Sequence, residues 1–172
     1  TGSPAGDTLP VLVALGATVE LRSTAGVRHL PITEHLIGPK RTARRPDELV
    51  TAVYVPIVDG WQGFAKVGTR NAMVIAVCNA ALVADRNGRQ IHVALGSVGP
   101  TIVSVPEVGR FLDDRIDWDA MALAGDRDEI LDGVAARCSA AASPIDDHRS
   151  TADYRRHAVG VLGRRLLGRA FP

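Results

Sequence analysis

Val74-Ile75-Ala76-Val77-Cys78-Asn79-Ala80-Ala81-Leu82-Val83-Ala84, running into Asp85-Arg86-Asn87-Gly88, is the stretch on which the fold turns. An apolar run of this length fits a buried helix or a buried strand, and periodicity alone does not separate them. Its neighbour decides. Asn87-Gly88 favours a tight hairpin turn, and residues 89–95 alternate, with Ile91, Val93 and Leu95 on one face. Both arms are therefore predicted strands, and a third follows Gly96 over residues 101–105. The expected unit is a three-stranded antiparallel meander covered on one side.

Beyond Pro106 the character changes. Residues 107–112, 118–123 and 128–142 read as helices between aspartate- and glycine-containing loops. The last helix is the clearest: Ser150-Thr151-Ala152-Asp153 is a capping-box variant, and Tyr154, Ala158, Val161, Leu162 and Leu166 form an apolar stripe at helical spacing. Arg155, Arg156, Arg164, Arg165 and Arg169 fall on the other faces. Acidic loops beside them make this a solvated or subunit-facing surface rather than a nucleic-acid site. The predicted class is α+β.

Ahead of the meander, Thr1-Gly2-Ser3-Pro4-Ala5-Gly6-Asp7 is a loop dense in turn chemistry. An apolar run over residues 9–15 follows and stops at Gly16, the pattern of a short helix capped by Asp7. Ser3 and Asp7 at a helix N-terminus suit an anionic or polyhydroxylated ligand, although an ordinary helix cap accounts for the same residues. Residues 18–22 and 27–30 form a hairpin, residues 32–37 a helical turn or two, and Lys40, Arg41, Arg44 and Arg45 a basic, solvated loop. Residues 49–55 are rich in β-branched side chains and read as a strand buried on at least one face. Lys66, inside Gly60-Trp61-Gln62-Gly63-Phe64-Ala65-Lys66-Val67-Gly68, either snorkels to the surface or faces an anionic partner. Asp59-Gly60 marks the boundary between residues 1–59 and a small α+β unit over 60–172.

Bulk properties narrow the function classes. A net charge of +1 gives no drive toward nucleic acid or an anionic membrane, and no apolar run reaches the ~20 residues of a membrane span. Cys78 and Cys138 stand alone, as reduced packing residues of a cytoplasmic protein. The histidines His29, His35, His92, His148 and His157 lack metal-ligand spacing and read as surface or capping residues. Gly96-Ser97-Val98-Gly99 is not a nucleophile elbow, and there is no P-loop. Asp146-Asp147-His148-Arg149 is the richest polar tetrad, placed where acidic residues favour a helix dipole. No catalytic residue and no metal ligand is therefore assigned, and any chemistry is expected to reside in a cofactor.

Several stretches together resemble the FAD-binding subunit of the molybdenum hydroxylases. They are the 1–7 loop, Gly38-Pro39 with Pro46-Asp47-Glu48-Leu49, and Phe64-Ala65-Lys66-Val67-Gly68 with Arg70. Ile91-His92-Val93-Ala94-Leu95-Gly96-Ser97-Val98-Gly99-Pro100-Thr101 and the segment from Asp147 to Arg156 continue the resemblance in order. It implies the second part of an FAD-binding domain over 1–59, its N-terminal part missing, and the C-terminal flavoprotein domain over 60–172. It implies FAD contacts at Ser3, Asp7, Leu49, Val50 and Lys66, with residues 68–74 bordering the flavin ring and the approach of the electron acceptor. Electrons would pass from an iron-sulfur small subunit through FAD to an acceptor, while a large subunit holds molybdopterin. The alternative is a subunit-docking module that does not bind FAD on its own.

Overall fold

The computed structural model describes residues 2–172; Thr1, the first residue of the opening loop, lies outside the described residues. In chain order it contains α1 (Thr8–Ala14), β1 (Thr18–Ser23), β2 (Gly26–Pro31), α2 (Ile32–His35), β3 (Leu36–Gly38), β4 (Arg41–Thr42) and β5 (Leu49–Tyr54). There follow β6 (Gly60–Gly68), β7 (Ala76–Asp85), β8 (Gln90–Gly96), β9 (Val103–Ser104), α3 (Pro106–Leu112), β10 (Ile116–Asp117), β11 (Ala122–Leu123), α4 (Arg127–Ala141) and α5 (Ala152–Ala170). Two sheets dominate: β2-β1-β5 and β6-β7-β8-β9, with every pairing antiparallel. The class is α+β, as the alternation and turn signals predict.

The meander has four strands rather than three. Residues 60–68 pair with β7 along its whole length, so the segment placed at the boundary is an edge of the main sheet. Nor is the sheet covered on one side only. Cys78, Ala80, Leu82 and Ala84 of β7 belong to the core beneath α3, α4 and α5, whereas Ala81 and Val83 join a second core with Leu9, Val13 and Ala14 of α1. A strand buried on both faces needs no polar alternation, which is why its sequence is a continuous apolar run.

Three further elements depart from expectation. Residues 118–123 form no helix: Ile116–Asp117 and Ala122–Leu123 pair as a short hairpin, with Met121 in the left-handed region at φ 50°. The helical pattern there is too short to overcome a turn that local Asp117 stabilises by accepting from the amides of Asp119 and Ala120. The helix after Pro31 stops at His35, and residues 36–38 pair with Arg41–Thr42. Strand β5 forms as predicted but is not buried on a face. It is the outer strand of its sheet, and Leu49, Val50, Val53 and Tyr54 are 69%, 48%, 42% and 51% exposed.

Helix α5 packs along α4 through small residues. A Cβ at Gly160 would sit 2.3 Å from Ser139 Oγ and 2.9 Å from the Ala135 carbonyl oxygen, so the two backbones approach where no larger side chain fits. The cap falls one residue later than the Ser150-to-Asp153 box implies: Thr151 caps α5 by accepting from the Tyr154 amide, while Tyr154 itself points outward and is 49% exposed. Replacing Gly160 by Val restores some helix propensity, roughly 0.5 kcal/mol, but overpacking costs about 1–3 kcal/mol and prevails. Gly160→Val is therefore expected to lower the urea midpoint of unfolding, with the slope unchanged.

Candidate functional site

Two polar groups interrupt the apolar surfaces between the opening loop, the main sheet and α5. The first lies at the start of α1. The Asp7 side chain makes no helix-capping hydrogen bond. Its carboxylate instead accepts from Lys66 Nζ at 2.5 Å and from Asn79 Nδ2 at 3.4 Å, and the same ammonium donates to the Val74 carbonyl at 3.0 Å. The predicted cap is thus an ion pair. Lys66 does face an anion, and that anion belongs to this chain. Helix α1, seven residues long with Pro10 inside it, offers no N-terminal anion site of its own.

The second group lines a cavity of about 490 Å³. It is lined by Ser3, Pro4 and Ala5 of the opening loop, by Lys40 and Ile75, and by Ser97, Asp147, Arg149 and Arg155. Arg155 was expected on a solvated face of α5 but is 2% exposed. It donates through Nη2 to Asp147 Oδ1 at 2.5 Å and through Nη1 to the Ser97 carbonyl at 3.5 Å, and its Nε has no protein partner among the described residues. Arg149 holds the other carboxylate oxygen of Asp147 at 2.5 Å. The Arg155 hydrogen bond, with that of Arg149, holds the Asp147 carboxyl well below the usual carboxylate range. With Lys40, the cavity carries three cations against one carboxylate, beside walls of proline, isoleucine and alanine. That combination suits an anion bearing an apolar body.

Among the residues singled out by sequence, the structure joins Asp7 to Lys66 and places Ser3 in the cavity lining a few residues away. Leu49 and Val50 stand apart. They lie on β5, in the other sheet, and are not among the residues lining the cavity. Beneath them Glu20 is buried on β1, accepting from Thr51 and Tyr54 at 2.6 and 2.7 Å; the Thr51 bond above all brings its pKa down to about 2. In the basic loop, Arg28 clamps Glu48 at 2.6 and 2.8 Å and likewise brings it to about 2. His35, expected at the surface, is buried beneath this loop, and desolvation lowers its pKa.

Arg155 and Asn79 are what the sequence reading missed, and both left a signal. Arg155 precedes Ala158, Leu162 and Leu166 by three, seven and eleven residues, which puts it on the buried stripe of α5. Asn79 is the lone amide inside the apolar run that became β7. Among the described residues no cluster could hold a metal ion, and no helix is long and apolar enough to cross a membrane.

Residues 64–170 match the CO dehydrogenase flavoprotein C-terminal domain, and residues 1–58 match the FAD-binding domain in molybdopterin dehydrogenase. The chain belongs to this flavoprotein family. It is 31% identical over 163 residues to the glyceraldehyde dehydrogenase medium chain of Sulfolobus acidocaldarius, covering 92% of this chain and 54% of that one. To the carbon monoxide dehydrogenase medium chain of Afipia carboxidovorans it is 28% identical over 173 residues, covering 98% and 57%. The crystal structure of a Cu,Mo-CO dehydrogenase superposes with a TM-score of 0.80 at 29% identity, over 98% of this chain and 57% of that one. Quinoline 2-oxidoreductase from Pseudomonas putida shares the fold, with a TM-score of 0.82 at 20% identity. The chain spans about half the length of the curated relatives it matches.

The Asp147 clasp is expected to make stability depend on acid pH. A carboxylate held below its ordinary value near 3.8 stabilises the fold fully above that value and loses its contribution as pH falls through the lower, folded-state pKa. Asp147→Asn is expected to be less stable than the wild type at pH 7, and the two urea midpoints should converge as the pH is taken below 3.8. Parallel curves across that window would show that the clasp does not set the response.

Proposed function

We propose that this chain supplies part of the FAD site of an oxidoreductase medium subunit, with the opening loop and the Asp7–Lys66 pair facing the cofactor. The observation that carries the reading is the ion pair itself. Residues 59 positions apart, each assigned to FAD on resemblance alone, meet at 2.5 Å; neither lines the cationic cavity, which the same opening loop reaches through Ser3, Pro4 and Ala5. The donors present fit the group: hydroxyl, ammonium and guanidinium groups suit ribityl hydroxyls and phosphates, and apolar walls suit a planar ring. FAD, when bound, supplies hydride and single-electron chemistry that no side chain of this chain offers.

The chain's own residues would bind and orient. Lys66 is held between the Asp7 carboxylate and the Val74 carbonyl, so its ammonium is fixed in place with its charge balanced by Asp7. In this reading the subunit takes electrons from iron-sulfur clusters on a small partner and serves a large partner that carries molybdopterin.

A second reading has its own support. Leu49, Val50, Val53, Tyr54 and Ile57 expose apolar surface along β5 and the segment after it, as a docking module without flavin would. Flavin titration separates the two. The chain is expected to quench FAD fluorescence weakly, with a Kd of roughly 0.1–1 mM, and Lys66→Ala to weaken this about tenfold. Absence of any protein-dependent change in flavin fluorescence or absorbance at millimolar FAD would favour docking alone.

A further inference from the structure

Lys66, Asn79 and Gly96 stand in one row across the main sheet, Lys66 opposite Asn79 on β6–β7 and Asn79 opposite Gly96 on β7–β8. Directly opposite residues of an antiparallel pair project from the same face. Here it is the face that carries α1, since Ala81 and Val83, two and four residues along β7, pack in the core with Leu9 and Val13. Asn79 is therefore a polar residue at one end of an otherwise apolar interface, and it is fully buried. Its Nδ2 donates to Asp7 Oδ1, while its Oδ1 finds no donor among the described residues. The space for the amide comes from Gly96, where a Cβ would lie 2.1 Å from Asn79 Oδ1 and 3.0 Å from Pro10 Cγ.

A buried carbonyl without a donor costs stability, and a leucine, with the same branching at Cγ, would avoid that cost. Asn79 is thus a poor choice for packing and an apt one for holding the carboxylate next to it. We propose that Asn79 is a positioning residue for the Lys66 ammonium, acting through Asp7. Asp7 sits at the exposed start of α1, with its side chain 44% accessible and no capping bond to fix it. One oxygen takes the Asn79 amide and the other takes Lys66. With Asn79 removed, Asp7 keeps only its contact to the lysine, and the lysine only its bonds to Asp7 and the Val74 carbonyl, so the pair loses its anchor in the buried sheet row. The effect on cofactor binding rests on the flavin reading above; the effect on Lys66 does not.

Asn79→Leu tests this, with three measurements on the same chain. The ¹⁵N–¹H₃ signal of the Lys66 ammonium is expected to be visible and slow to exchange with water in the wild type, and broadened or lost in the variant. The thermal midpoint is expected to stay level or rise, and the Kd for FAD to increase roughly threefold to tenfold. Should Asn79→Leu fail to fold, Asn79→Ala carries the same readout. An unchanged Lys66 signal overturns the proposal whatever happens to stability, because it would mean the amide serves packing alone. A lost Lys66 signal in a variant whose wild type shows no flavin binding would leave Asn79 as the positioning residue and reject the flavin reading instead.

Discussion

Strand β7 is apolar on both faces, and that single constraint obliges the chain to build a layer on each side of its sheet. Toward one face it collects α3, α4 and α5, with Leu82, Val108, Val134 and Leu167 fully buried between them. Toward the other it draws α1, a helix of only seven residues that would be marginal in isolation and is held by Leu9 and Val13 against Ala81 and Val83. The opening loop is carried by that docking. Its Pro4 carbonyl accepts the Ser97 amide at the end of β8, and its Asp7 meets the β6–β7 row. The polar chemistry of the molecule is therefore positioned by apolar burial.

How much of this was legible depended on whether the signal was local. The Gly16 stop, at φ 66°, the hairpin at Asn87-Gly88 and the cap of α5 each act within a few residues; the first appears where the sequence puts it, the hairpin closes as a four-residue loop with Arg89 in the left-handed region, and the cap falls on Thr151, one residue along. The residues 118–123 also carried a local signal, but a helical pattern of six residues competes poorly with a turn whose Asp117 already satisfies two amides. Burial is a different matter, since it depends on what arrives from elsewhere. Both β5 and β7 read as apolar strands, yet one is an edge with exposed side chains and the other is the centre of two cores. Composition does not distinguish a strand that will be covered from one that will not.

The candidate site shows the same division. Resemblance picked out Asp7 and Lys66 separately, and only the fold brings them within hydrogen-bonding distance. It also changes what each residue is for: a presumed helix cap proves to be half of an ion pair, and a lysine with no evident anion proves to have one from 59 residues away. Arg155 extends the lesson to α5. A charged residue in the buried register of an amphipathic helix has to find a carboxylate, and the tetrad ahead of the helix supplies Asp147. Leu49 and Val50 remain on a separate sheet, assigned by resemblance alone.

The two cysteines carry a practical consequence. Cys78 and Cys138 are fully buried, and desolvation pushes their thiols up to about 11 and about 12. At neutral pH about one Cys78 in ten thousand is a thiolate, the form that alkylating reagents and peroxide attack, and fewer still of Cys138. The native chain is in effect silent to thiol reagents while folded. A cysteine engineered onto its surface would take a maleimide label alone, giving a spectroscopic ruler on a protein whose own sulfur needs no removal.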